Sequence, residues 1–89
     1  MTPTRARRIT LPMSQFFFHV RHEATVFEDR RGGDFSDLVA AWRWAVHDAR
    51  GMIAEGTLEG PIDRQWIEIC DATGAVVATM PFERALSSH

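Results

Sequence analysis

The chain has 89 residues, 45% of them hydrophobic, with three Trp and six Phe. That is enough for one small folded domain and too apolar for a disordered chain. Twelve acidic residues oppose ten basic ones, all arginine, so the net charge of −2 offers no overall field for nucleic acid. The single cysteine, Cys70, excludes an intramolecular disulfide and suits a reducing cytoplasm, and no apolar run approaches the roughly 20 residues that span a bilayer.

Residues 1–12 carry Arg5, Arg7, Arg8, Pro3 and Pro12 without any apolar periodicity. They read as a disordered basic leader rather than a signal peptide, because Pro12 and the short run Phe16-Phe17-Phe18-His19-Val20 stand where a long apolar segment belongs. Met13 is a possible true start, which would remove all three arginines. The single domain is then 13–86, with 87–89 a frayed tail.

Gln15 to Arg21 alternates as a strand, with Phe16, Phe18 and Val20 on one face and Phe17, His19 and Arg21 on the other. His22-Glu23 turns the chain into a short return strand, Ala24 to Glu28, followed by the polar loop Asp29-Arg30-Arg31-Gly32-Gly33-Asp34. Ser36 to Glu55 is the long helix. Leu38, Ala41, Trp42, Ala45, Val46, Ala49, Met52 and Ile53 fall within an arc of about 160° at helical spacing. Trp42 is expected at the centre of that arc and in the core; Arg43, His47 and Arg50 lie opposite, and Trp44 lies roughly 60° outside the arc. Ser36 is the expected N-cap with Asp34 the alternative, Asp37 belongs to the first turn, and Gly56 is the expected left-handed stop. After a loop over 57–64, Gln65 to Asp71 forms a strand with Ile67 and Ile69 on one face and Trp66, Glu68 and Cys70 on the other. Asp71 to Gly74 turns into a last strand, Ala75 to Met80, ended by Pro81, and Phe82 to Leu86 adds a final turn. The fold class is α+β: β-β-α-β-β, a four-stranded mainly antiparallel sheet with one long amphipathic helix on one face.

Met13-Ser14-Gln15-Phe16-Phe17-Phe18-His19-Val20-Arg21, the Ser36-Asp37-Leu38 helix start, the Ala-rich helix and the Asp71-x-x-Gly74 hairpin running into Pro81-Phe82 form a distinctive pattern. It resembles a family of short bacterial proteins, common in rhizobia and related alphaproteobacteria, that is classed as a domain of unknown function. The resemblance covers about Met13 to Leu86. The chain departs from the pattern in its leader, in His22-Glu23 where an Asp-Gly turn often stands, and in the two helix tryptophans. The family implies no activity, cofactor or catalytic residue; it does support Met13 as a natural start.

Few residues suggest chemistry. His19, His22, His47, His89 and Cys70 are the available soft ligands, but their spacing does not bring the three or four that zinc needs together. A Cys70–His19 nucleophile competes with the plainer reading of a small core thiol. The carboxylates are scattered, and Gly32-Gly33 is too short for a phosphate cradle. Neither a metal nor a cofactor is expected. Arg30 and Arg31 are the candidate anion contact, against a solvated loop flanked by Glu28, Asp29 and Asp34. Trp44, Phe17 and Trp66 are the candidate interface residues, because one helix cannot cover two sheet faces and the face with Phe17, Trp66 and Val77 has no helix assigned to it. The sequence therefore reads as a non-enzymatic cytoplasmic module for protein–protein contact or homodimerisation, with no membrane role. The alternative is a nucleic-acid-associated regulator using Arg30, Arg31 and the leader arginines. A third reading is a minor enzymatic or ligand-binding domain completed at an oligomer interface.

Overall fold

The computed structural model describes residues 13–58 and 60–87, so the leader, His89 and Ser88 lie outside the described residues. Five strands form one antiparallel sheet: β1 (Ser14–His22), β2 (Thr25–Phe27), β3 (Gly33–Phe35), β4 (Gln65–Asp71) and β5 (Val76–Pro81). Two helices, α1 (Leu38–Glu55) and α2 (Phe82–Ser87), and a 3-10 turn at Ile62–Arg64 complete the elements among the described residues. The strand order is β2-β1-β4-β5, and β3 pairs β1 as well. β2 takes Val20 to His22 of β1 and β3 takes Ser14 to Phe16, so the two short strands share one edge of β1, end to end.

The α+β class holds, with five strands rather than four. Gly33–Phe35, which reads as the end of a polar loop, is too short to show a period of two. What makes it a strand is tertiary: the Phe35 ring packs on Phe16 and Phe18, with centroids 6.2 and 5.6 Å away.

Helix α1 starts one residue later than the sequence suggests. Asp37, not Ser36, is the cap: its backbone is extended and its Oδ1 accepts from Ala40 N at 2.8 Å. A carboxylate satisfies the free N–H as well as a hydroxyl does and adds the favourable charge at the positive end of the helix dipole. At the other end Gly56 takes φ 70°, as expected, and lets Gly56 N and Thr57 N close on the carbonyls of Ile53 and Met52.

The core lies between one sheet face and both helices. It comprises Phe16, Phe18, Ile67, Ile69 and Met80 from the sheet, Ala41, Ala45 and Ala49 from α1, and Phe82 and Ala85 from α2. Phe16, Phe18 and Val20 thus point at the helix layer, as the alternation requires. Trp42 does not hold the centre of the helix stripe. Three alanines do, because small side chains let a helix settle close on the sheet, and Trp42 is left half-buried at the rim. There the Arg84 guanidinium lies 5.9 Å over its ring. The final turn is also more than a turn: α2 runs through Ser87, where a frayed tail was expected to begin, and places Phe82 fully buried in the core.

Candidate functional site: the open face of the sheet

Residues paired across neighbouring strands project to the same face, so the register gives the composition of the face that α1 and α2 leave uncovered. Phe17 pairs with Cys70, His19 with Glu68, and Arg21 with Trp66. On the outer strands Val26 continues the Arg21–Trp66 row, Thr79 continues the His19–Glu68 row, and Pro81 and Val76 stand beside Trp66 and Cys70. The face is therefore three rows deep, a polar row between two largely apolar ones. Val76 rather than Val77 belongs to it. A bulge between Ile69 and Cys70 makes Val77 the extra residue, and it lines a depression with Phe16 and Leu38 instead.

At the centre, Arg21 Nε lies 3.3 Å from Glu68 Oε2, and Trp66 Nε1 donates to the same oxygen at 3.5 Å. The Arg21 Nε atom is shut off from solvent yet misaligned for a hydrogen bond. Phe17 and Trp66 are half-buried, while Val26 and Val76 are 41% and 53% exposed. Of the three expected interface residues, Phe17 and Trp66 come together on this face. Trp44 is on the other layer, 45% exposed on α1, with its ring 5.7 Å from His47.

One edge of this face is built around Asp29. Between β2 and β3, the backbone of β1 at Phe18 has no strand beside it; Asp29 fills the gap. Its Oδ2 accepts from Phe18 N at 3.0 Å, its Oδ1 accepts from Arg31 N and Gly32 N at 3.0 and 3.1 Å, and its own N–H donates to His19 Nδ1 at 2.9 Å. Burial pushes the Asp29 carboxyl upward. The three amide donors of Gly32, Phe18 and Arg31 outweigh that and hold it below its ordinary value. Because His19 Nδ1 accepts, the neutral ring carries its proton on Nε2. Sequence reading passed over Asp29; the clue was an acidic residue three before a glycine, the spacing of a side chain that closes its own loop. Gly32 is required there, since its φ is +66° and a Cβ would sit 2.6 Å from Phe16 O and 2.9 Å from the Phe17 ring.

The same geometry bears on the anion reading. The amides of Arg31 and Gly32 already face Asp29, and Arg30 Nε pairs with Glu28 at 3.4 Å on an exposed surface. A shallow depression of about 360 Å³ beside this loop is lined by Phe17, His19, Arg30, Cys70 and the carboxylates of Glu28, Asp29 and Asp71. Its thiol is a poor nucleophile: burial pushes Cys70 up, and Glu68 and Asp71 push it further. Asp71 is engaged in its own turn, accepting from Thr73 N, Thr73 Oγ1 and Ala75 N. Among the described residues no group of three or more His, Cys, Asp or Glu is disposed to hold a metal ion, and no helix is long and apolar enough to cross a membrane.

The architecture is that of a single antiparallel sheet with helices on one side and a mixed apolar–polar face on the other, an α+β domain. Comparison with known families matches residues 15–83 to the family described as Domain of unknown function (DUF6894). The chain belongs to that family. No curated protein and no solved structure matches it.

Proposed function

We propose that the chain is a non-enzymatic module of the bacterial cytoplasm that works by protein–protein contact, with the open face of the sheet as its docking surface. The observation that carries this reading is the one-sided distribution of helices: both pack on the Phe16–Phe18 face, leaving Phe17, Trp66, Val26 and Val76 around the Arg21–Glu68 pair. A face with apolar rows flanking a central ion pair has the composition of a docking surface, where aromatic and Arg residues anchor and a polar element sets orientation. The nucleic-acid reading draws less support, because its loop amides and Arg30 have partners within the loop. Weak, salt-insensitive retention on a polyanion column is the expected behaviour.

The direct test places a photo-crosslinking residue at Thr79, on the open face, and in a second protein at Val39, exposed on the outer side of α1. Irradiation in cells is expected to give protein adducts from position 79 and none from position 39. Adducts from 39 alone, or from neither, would overturn the assignment of the face.

A further inference from the structure

We propose that the occupant of the open face is a second copy of this chain, packed face to face about a twofold axis that runs parallel to the strands between β1 and β4. The proposal rests on the reading of that face as a docking surface and adds its partner and register.

Two simple twofold arrangements bring the face against itself, and the register of the strands separates them. An axis across the strands, along the polar row, would set Glu68 against Glu68 and His19 against His19. Like groups directly opposed across a desolvated interface are unfavourable. An axis along the strands exchanges the positions of β1 and β4. Each row then meets its complement: His19 of one copy meets Glu68 of the other, Arg21 meets Trp66, and Phe17 meets Cys70. The first two pairings are favourable by type, imidazole N–H to carboxylate and guanidinium on an indole face, and Phe17 meets an apolar row in which Cys70 itself is buried. The donor for the first is already prepared, because Asp29 N occupies His19 Nδ1 and leaves the neutral ring's N–H on Nε2. Glu68 has an acceptor to offer, since its two contacts to Arg21 and Trp66 both use Oε2 and not Oε1. On the flanks Val26 meets Pro81, and Thr79 meets the Glu28–Asp29 segment. The face is complementary to itself in charge as well as in shape class, and an isologous interface needs that property.

Size sets the strength. Seven paired residues along β1 and β4, and four strands across, span about 23 Å by about 19 Å, a footprint of roughly 440 Å² per copy. Stable complexes bury about 800 Å² per partner, so this is a weak, concentration-dependent dimer of two aligned sheets.

The test is light scattering and sedimentation of the full chain over about 1 μM to about 1 mM, the span that brackets weak association. The wild type should rise from monomer to dimer mass. The double exchange Arg21→Glu with Glu68→Arg keeps an ion pair within each copy but sets position 68's new cation against the partner's His19 and removes the cation from the partner's Trp66. It should weaken association at least about tenfold while melting near the wild type. Thr79→Glu, at an exposed position, should do the same by facing the partner's Glu28–Asp29 segment, and it covers the case in which the exchange does not fold. A monomeric wild type across the range, or variants that associate as tightly as the wild type, would overturn the second copy as partner. If the wild type is monomeric while position 79 still crosslinks to another protein, the docking face stands and the second copy alone is refuted.

Discussion

Replacing Asp29 by Asn tests whether one carboxylate stands in for a missing strand. The change is isosteric, but it turns one acceptor oxygen into an NH₂ donor. If the NH₂ faces Phe18 N, one hydrogen bond is lost and two donors are opposed; turned the other way, it opposes both Arg31 N and Gly32 N. A hydrogen bond to a charged group contributes about 1.5–3 kcal/mol, and a donor left unpaired at a half-buried site costs about 1–3 kcal/mol. Water reaches part of this loop, so the lower end applies, and Asn should destabilise the fold by about 2–3 kcal/mol. Against a total of roughly 5–15 kcal/mol for a small domain, that moves a urea midpoint by about 2 M at a slope near 1 kcal/mol per M. Urea unfolding followed by tryptophan fluorescence at neutral pH reads the shift. A cost under about 0.5 kcal/mol would refute the role given to Asp29.

The same residue makes a pH prediction of definite sign. The folded Asp29 carboxyl lies below its ordinary value of 3.8, so its ionised form is favoured by folding. Its contribution is fully present above that value and is lost as pH falls through the lower folded value. Wild-type stability should therefore fall below about pH 4 more steeply than that of Asp29→Asn, the two curves converging in acid. Parallel curves would show that the carboxylate is not what the loop depends on.

Gly32→Ala and Gly56→Ala both place a side chain at positive φ, yet only the first also meets Phe16 O and the Phe17 ring; the costs should be about 3 kcal/mol or more and about 1 kcal/mol respectively in denaturant titrations. Phe82→Ala empties a fully buried site and should cost about 3–5 kcal/mol; a loss below about 1 kcal/mol would mean that α2 is not part of the core. Trp42→Ala should cost about 2 kcal/mol through its rim packing and its Arg84 contact, and Trp44→Ala less than about 0.5 kcal/mol with no change in oligomer mass.

What the sequence made legible was whatever repeats along the chain. The alternation of β1 assigned Phe16 and Phe18 to the core and Phe17 to the opposite face, β4 was bounded to the residue, and Gly56 was a sound helix stop. What it hid was whatever depends on a contact distant in sequence. Three residues of β3 carry no period, so only the Phe35 packing on β1 makes them a strand. The helix wheel located the apolar arc but not its centre, because hydrophobicity favours Trp42 whereas close approach to the sheet favours Ala41, Ala45 and Ala49. One bulge exchanged Val77 for Val76 on the open face, since a single added residue reverses every side chain after it. Asp29 was invisible for a related reason: its importance lies in the gap it fills, and the gap exists only once β2 and β3 share an edge.

The edges of the sheet bear on why its face, rather than an edge, is the surface for association. Phe18 N points away from β4 to reach Asp29, so Phe18 and Ile69 form a pair without mutual hydrogen bonds in the β1–β4 ladder. Ile69 then turns its backbone groups toward Ala78, and by alternation Ile67 does so toward Met80. It follows that Thr79 and Pro81 are the β5 residues whose backbone groups face outward. Pro81 has no N–H to offer, and its ring costs no ladder bond at that position. The bulge at Val76–Val77 distorts the other end of the strand. An incoming strand would find the amide of Thr79 as the one regular donor on this edge, too little to hold a register. On the opposite side the edge is made of two three-residue strands, β2 and β3, separated by the loop that carries Asp29, each too short to hold a register with an incoming strand. With both edges blunted in this way, strand addition is a poor route to a partner. The apolar rows of the open face are then the surface through which association gains most from leaving water.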